Sequence, residues 1–209
     1  MAGARFLLPV AAALLSLPTG GAANAQVHWD ASAKAGVMKR IETGGAAGAP
    51  TPTPGPSLEL LGHVALLPMV RGGAYLATDL SPAVGRGATA DGPRTFGAAG
   101  LHVRVSPPLL AWPWRTWLFA GFGYAYAHDL ATRFSGGMLD VPAGLGLARK
   151  LTPRRLLFAE LGARFGAAFH GAMYEPERGV GVGSSSVSST YAGRDAFAVS
   201  LSVGLSLEE

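Results

Sequence analysis

The chain contains no cysteine, so neither a disulfide nor a thiolate metal site is open to it. It is also poor in charge. Asp, Glu, Lys and Arg make up 14% of the residues, against about a quarter in water-soluble domains. So few ionised groups would solvate a water-facing surface badly. Beyond the N-terminus there is no uninterrupted apolar run of the ~18 residues that a spanning helix requires, which argues against a helical membrane bundle. Nor is there a strong excess of one charge. The formal net charge is +4 and dispersed, so no nucleic-acid partner is expected.

Against these absences, hydrophobic residues reach 49%, with 30 glycines and 15 prolines. A chain that is apolar overall but lacks long apolar runs must intersperse its apolar residues. The first residues form a separate unit. Arg5 supplies a positive start, residues 6–15 an apolar core, and Ala23-Asn24-Ala25 a small-x-small cleavage site. Residues 1–25 are expected to be a secretory signal peptide and 26–209 a single β-barrel domain.

The mature chain has a period of two. In 155–170, Leu157, Ala159, Leu161, Ala163, Phe165, Ala167 and Phe169 share one parity, and Glu160, Gly162, Arg164, Gly166 and His170 the other. Residues i and i+2 share a strand face, so one face is apolar and the other small or charged. Segment 196–207 sets Phe197, Val199, Leu201, Val203, Leu205 and Leu207 against Ala, Ser and Gly. Segments 139–150, 96–105 and 58–67 split the same way, and 27–40, 70–80 and 116–128 do so more weakly. Eight strands are predicted, each long enough for the roughly 9–11 tilted residues that cross a bilayer. The connections 43–56, 81–95, 129–137 and 171–194 are long, while those near 68–69, 106–115 and 150–154 are mostly short. Long loops at one end and tight turns at the other is the outer-membrane pattern.

The polar face is mostly Gly, Ala and Ser with isolated charges. Small residues suit the narrow interior of eight converging strands, which leaves the apolar face for lipid. Isolated interior charges need partners. Counting from the short-turn end, Lys34, Glu59, Asp140 and Arg164 fall at one height, which pairs Lys34 with Glu59 and Asp140 with Arg164. Glu160, His63, His102, Arg71 and Arg104 form a lower tier. Trp112, Trp114 and Trp117 are expected in one interfacial aromatic girdle, and Tyr124 and Tyr126 in the opposite one.

With these features the chain resembles the small eight-stranded outer-membrane barrels of the OmpA, OmpX and OmpW type over residues 27–207. The resemblance implies an all-β, antiparallel, up-and-down transmembrane barrel in the cell outer membrane. Its partners would be outer-membrane lipid, lipopolysaccharide and, during assembly, the barrel-insertion machinery. That machinery reads an alternating last strand, which Val203-Gly204-Leu205-Ser206-Leu207 provides. The departure is an ending in Leu207, Glu208 and Glu209 rather than an aromatic.

Other chemistry is thinly represented. His28, His63, His102, His128 and His170 lie in five segments without ligand spacing, so no metal is expected. The serines at 184–189 and the glycines at 179–183 read as surface loop, not as a nucleophile or a phosphate cradle. The Thr-Pro run at 51–56 reads as a stiff stretch of the first long loop. No cofactor and no enzymatic activity are expected. The expected role is structural, or surface interaction through the long loops. The alternatives are a barrel that binds or passes small apolar ligands, and a lipid A-modifying enzyme.

Overall fold

The computed structural model describes residues 28–43, 54–82, 93–130, 133, 135–171 and 194–209. The expected signal segment, the serine run and most of the four long connections lie outside these residues. Eight strands follow in order: β1 (Trp29–Thr43), β2 (Gly55–Leu67), β3 (Val70–Ser81), β4 (Arg94–Val105), β5 (Trp114–Asp129), β6 (Ser135–Thr152), β7 (Arg155–His170) and β8 (Arg194–Glu208). Each pairs antiparallel with the next. β8 returns to β1, with Asp30 opposite Glu208 and Ile41 opposite Phe197, and so closes the barrel. Closure leaves no strand edge unpaired.

Side-chain alternation turns the barrel inside out relative to a water-soluble one. On β4, Leu101 is 69% exposed and its neighbour His102 only 1%. On β8, Leu201, Val203, Leu205 and Leu207 face outward, while Ser202, Gly204 and Ser206 face in. The outward leucines, valines and phenylalanines recur around the whole circumference, whereas a soluble monomer rarely exposes an apolar patch beyond a few hundred Å². Each such side chain forgoes about 1.5–3 kcal/mol if water rather than hydrocarbon surrounds it.

The interior is filled, and glycine makes the filling possible. Trp117 is the cross-strand partner of Gly146, and Phe119 of Gly144. A Cβ at either glycine would collide with the aromatic ring opposite. Trp117, Phe119, Ala148, Leu156 and Phe158 form one buried cluster toward the short-turn end. Phe96, Ala125, Ala127 and Met138 form a second toward the loop end.

Two sequence expectations about facing are corrected. Trp117, expected in a girdle, points into the barrel and is 5% exposed. In β5 the odd residues 117, 119, 125, 127 and 129 are inward and buried, and 118, 122, 124 and 126 outward. Apolar residues on both faces had hidden this parity. On β7 the alternation reverses near its end. Ala168 has a positive φ of 51°, and the β6–β7 register shifts between Gly137 and Leu139. Phe169 therefore packs on the inner Phe96 cluster instead of facing out. His170 turns outward, where its Nε2 lies 2.7 Å from Tyr124 Oη.

Candidate functional site

The lumen holds most of the chain's described ionisable side chains, stacked along its axis. Nearest the loops, Arg40 makes a two-pronged contact with Asp79: Nε to Oδ1 at 3.0 Å and Nη2 to Oδ2 at 2.6 Å. The Arg40 guanidinium also lies 3.4 Å from the centre of the Phe96 ring. Arg94 and Asp129 pair at the same end, at 3.6 Å.

The middle tier joins six strands. Lys34 Nζ lies 3.1 Å from Glu59 and also bonds Glu160. Arg164 donates to Glu59 at 2.7 Å through Nη2 and to Asp140 through Nη1. Tyr75 Oη donates to Asp140 at 2.7 Å, and Trp117 Nε1 donates to Glu160 at 2.8 Å. Lys34, Glu59, Asp140 and Arg164 thus lie at one level. Glu160 belongs with them, not with the lower tier where simple counting put it. The reason is the ladder through β8. Glu160 pairs with Ser202, and Ser202 with Gly36, two residues from Lys34. Strand stagger in a closed barrel makes equal counts unequal heights.

The lower tier centres on Asp30. One carboxylate oxygen accepts from Arg71 Nη1 at 2.5 Å and from Arg104 Nη2 at 2.8 Å. The other lies 3.0 Å from His63 Nδ1. His63 Nε2 in turn is 2.7 Å from His102 Nδ1. Below this, Glu208 meets Arg71 at 3.1 Å and Arg115 at 3.0 Å. Asp30, Arg115, Glu208, Arg40 and Asp79 were not in the sequence-based network. Asp30, Arg40 and Glu208 carried a readable signal, because each continues the polar parity of its strand.

The lower tier borders a cavity of about 470 Å³ beneath the β4–β5 connection. Arg71, Arg104, Arg115 and Glu208 meet Trp112, Trp114 and Leu110 there. Trp112 and Trp114 are exposed at the short-turn end, and Tyr124 and Tyr126 are exposed toward the loop end. Among the described residues, no group of three or more His, Asp and Glu side chains is arranged to hold a metal ion. His128 Nδ1 and Ser135 Oγ lie 2.8 Å apart across β5 and β6, on the outward parity.

No protein-family model matches the sequence, and no curated protein matches it either. Solved structures do match in fold. Neisserial surface protein A aligns at a TM-score of 0.57 with 12% identity, over 86% of this chain and 96% of that one. A major outer membrane protein from Thermus thermophilus aligns at 0.55 with 15% identity, over 88% of this chain and all 100% of that one. At such identities the likeness is one of fold: the eight-stranded barrel of small outer-membrane proteins.

Proposed function

We propose that the chain is an integral outer-membrane protein without enzymatic activity. It would be exported through a cleaved signal of residues 1–25, and would act structurally or through surface interactions of its long loops. The observation that carries this reading is the reversed distribution of side chains: apolar residues outward on all sides, ion pairs within. Only hydrocarbon around the barrel makes that arrangement favourable. Trp112 and Trp114 at one end and Tyr124 and Tyr126 at the other would then meet the two headgroup regions. The short turns would face the periplasm and the long loops the exterior. A lumen packed with aromatic rings and ion pairs favours a structural or interaction role over free passage of solutes. Outer-membrane lipid and lipopolysaccharide are its proposed surroundings, and the barrel-insertion machinery its assembly partner.

The test is gel mobility of the protein extracted from an outer-membrane fraction, with and without boiling. A closed barrel runs at two positions, and one position in both samples would overturn the reading. A second reading, action on lipid A, draws on the outward His128–Ser135 pair alone. Mass spectrometry of lipid A with and without expression of the chain tests it, and an unchanged mass removes it.

A further inference from the structure

We infer that the cavity at the short-turn end binds a small organic anion with an apolar body. The charged lining points to a ligand there. Arg71, Arg104 and Arg115 line it, and among the described residues Glu208 is the one carboxylate of that lining. Arg104 is buried, while the Arg71 and Arg115 side chains are 22% and 41% exposed and within reach of a ligand.

Charge decides the sign of the ligand. Arg71, Arg104, Arg115 and Lys150 gather around only two carboxylates, Asp30 and Glu208. Four cations less two anions leave two positive charges. Further out, Arg154 and Glu209 cancel each other. The Arg104 guanidinium is held 4.9 Å from the centre of the Trp117 ring and by Asp30 through Nη2, so the donors open to a newcomer are those of Arg71 and Arg115. Guanidinium donors favour carboxylate, phosphate or sulfonate oxygens.

The opposite wall decides the rest of the molecule. Met69, Leu110, Trp112 and Trp114 present apolar and aromatic surface to the same space. A volume of about 470 Å³ falls within the ~300–1,000 Å³ of small-molecule pockets. An inorganic ion would leave that wall unused. Entry is from the short-turn mouth. A second hollow of about 350 Å³ shares Arg71, Arg115 and Glu208 and reaches the exposed His28, Arg154 and Glu209.

The test folds the full chain into phosphatidylcholine nanodiscs and follows tryptophan emission as 2-naphthoate is added. Saturable quenching is expected. The neutral isostere 2-naphthamide should bind at least about tenfold more weakly, since it lacks the charge that the arginines recognise. Acetate at equal concentration should not compete. Arg115→Gln and Arg71→Gln should each weaken naphthoate while gel mobility stays heat-modifiable. Should Arg71→Gln fail to fold, Arg115→Gln carries the comparison alone. Linear, equal quenching by acid and amide would mean partition into the bilayer and overturn the site. Saturable binding unchanged in the variants would place the ligand elsewhere and also overturn it. Competition by acetate would reduce the site to a bare anion hole and overturn the apolar part. Heat-modifiable mobility, read on the same samples, reports separately on the barrel.

Discussion

Trp117 and Glu160 meet inside the barrel, the indole Nε1 donating to the carboxylate Oε1 at 2.8 Å. The contact ties β5 to β7 across the intervening β6. It also fixes one oxygen of a carboxylate whose other oxygen holds Lys34. An aromatic residue that would otherwise belong at the membrane interface thus becomes part of the lumenal polar network.

Single-tryptophan variants distinguish the two locations. In vesicles containing brominated lipid, emission from Trp112 or Trp114 should be strongly quenched. Emission from Trp117 should be nearly unaffected, because its ring lies behind the strand wall. Trp117→Phe keeps the ring's bulk but leaves Glu160 short of a donor. Such a loss costs about 1–3 kcal/mol, readable as a lower urea midpoint in phospholipid vesicles. Strong quenching of Trp117 would return it to the girdle.

Gly146 is the floor on which Trp117 rests. Gly146→Val forces the indole off its site, and overpacking of this kind costs about 1–3 kcal/mol. Gly62 is the control, since a Cβ there meets nothing within 4 Å. Gly62→Val should leave the urea midpoint unchanged. Equal effects at the two positions would mean that the aromatic–glycine fit does not shape the lumen.

The fold was legible wherever the two faces of a strand differ in chemistry. β7 and β8 carry apolar residues at one parity and Gly, Ser or charge at the other, so their course and facing could be read from the chain. β5 could not be read this way. Trp117 and Phe119 inside are as apolar as Leu118 and Phe122 outside, and only packing on Gly144 and Gly146 separates them. The reversal at Ala168 was hidden for another reason: a single positive φ leaves no mark on composition. The ion pairs were legible as a set of inward charges. Their partners depend on stagger accumulated around the closed sheet, which is why Glu160 joins Lys34 and why Asp30 is the centre of the lower tier.

Asp30 should be the most sensitive lumenal carboxylate. Asp30→Asn removes the charge facing both Arg71 and Arg104 and weakens the anchor of His63. Breaking a buried pair from one side costs about 3–5 kcal/mol. Asp79→Asn strands only Arg40 and should cost less. Urea titration of both variants in the same vesicles gives the order directly. An Asp30→Asn barrel as stable as the parent would show that the lower tier is held by something other than its carboxylate.

The outer surface offers the sharpest measurement, because lipid and water predict opposite signs there. Leu101 stands near the middle of β4, outward, between Ala74 and Phe122 on its neighbours. With acyl chains around it, Leu101→Arg should cost about 2–4 kcal/mol, the midplane penalty for a cation on a barrel's lipid face. At the rim the same change is far cheaper, so Trp112→Arg should cost about 0–1 kcal/mol. A water-facing barrel would give neither the cost nor the gradient, since removing an exposed leucine from water is neutral or favourable. Unfolding midpoints in vesicles for the two arginine variants therefore report what surrounds the barrel and how deep Leu101 lies. A flat profile, with Leu101→Arg as stable as the parent, would place water where the reversed side-chain pattern demands hydrocarbon.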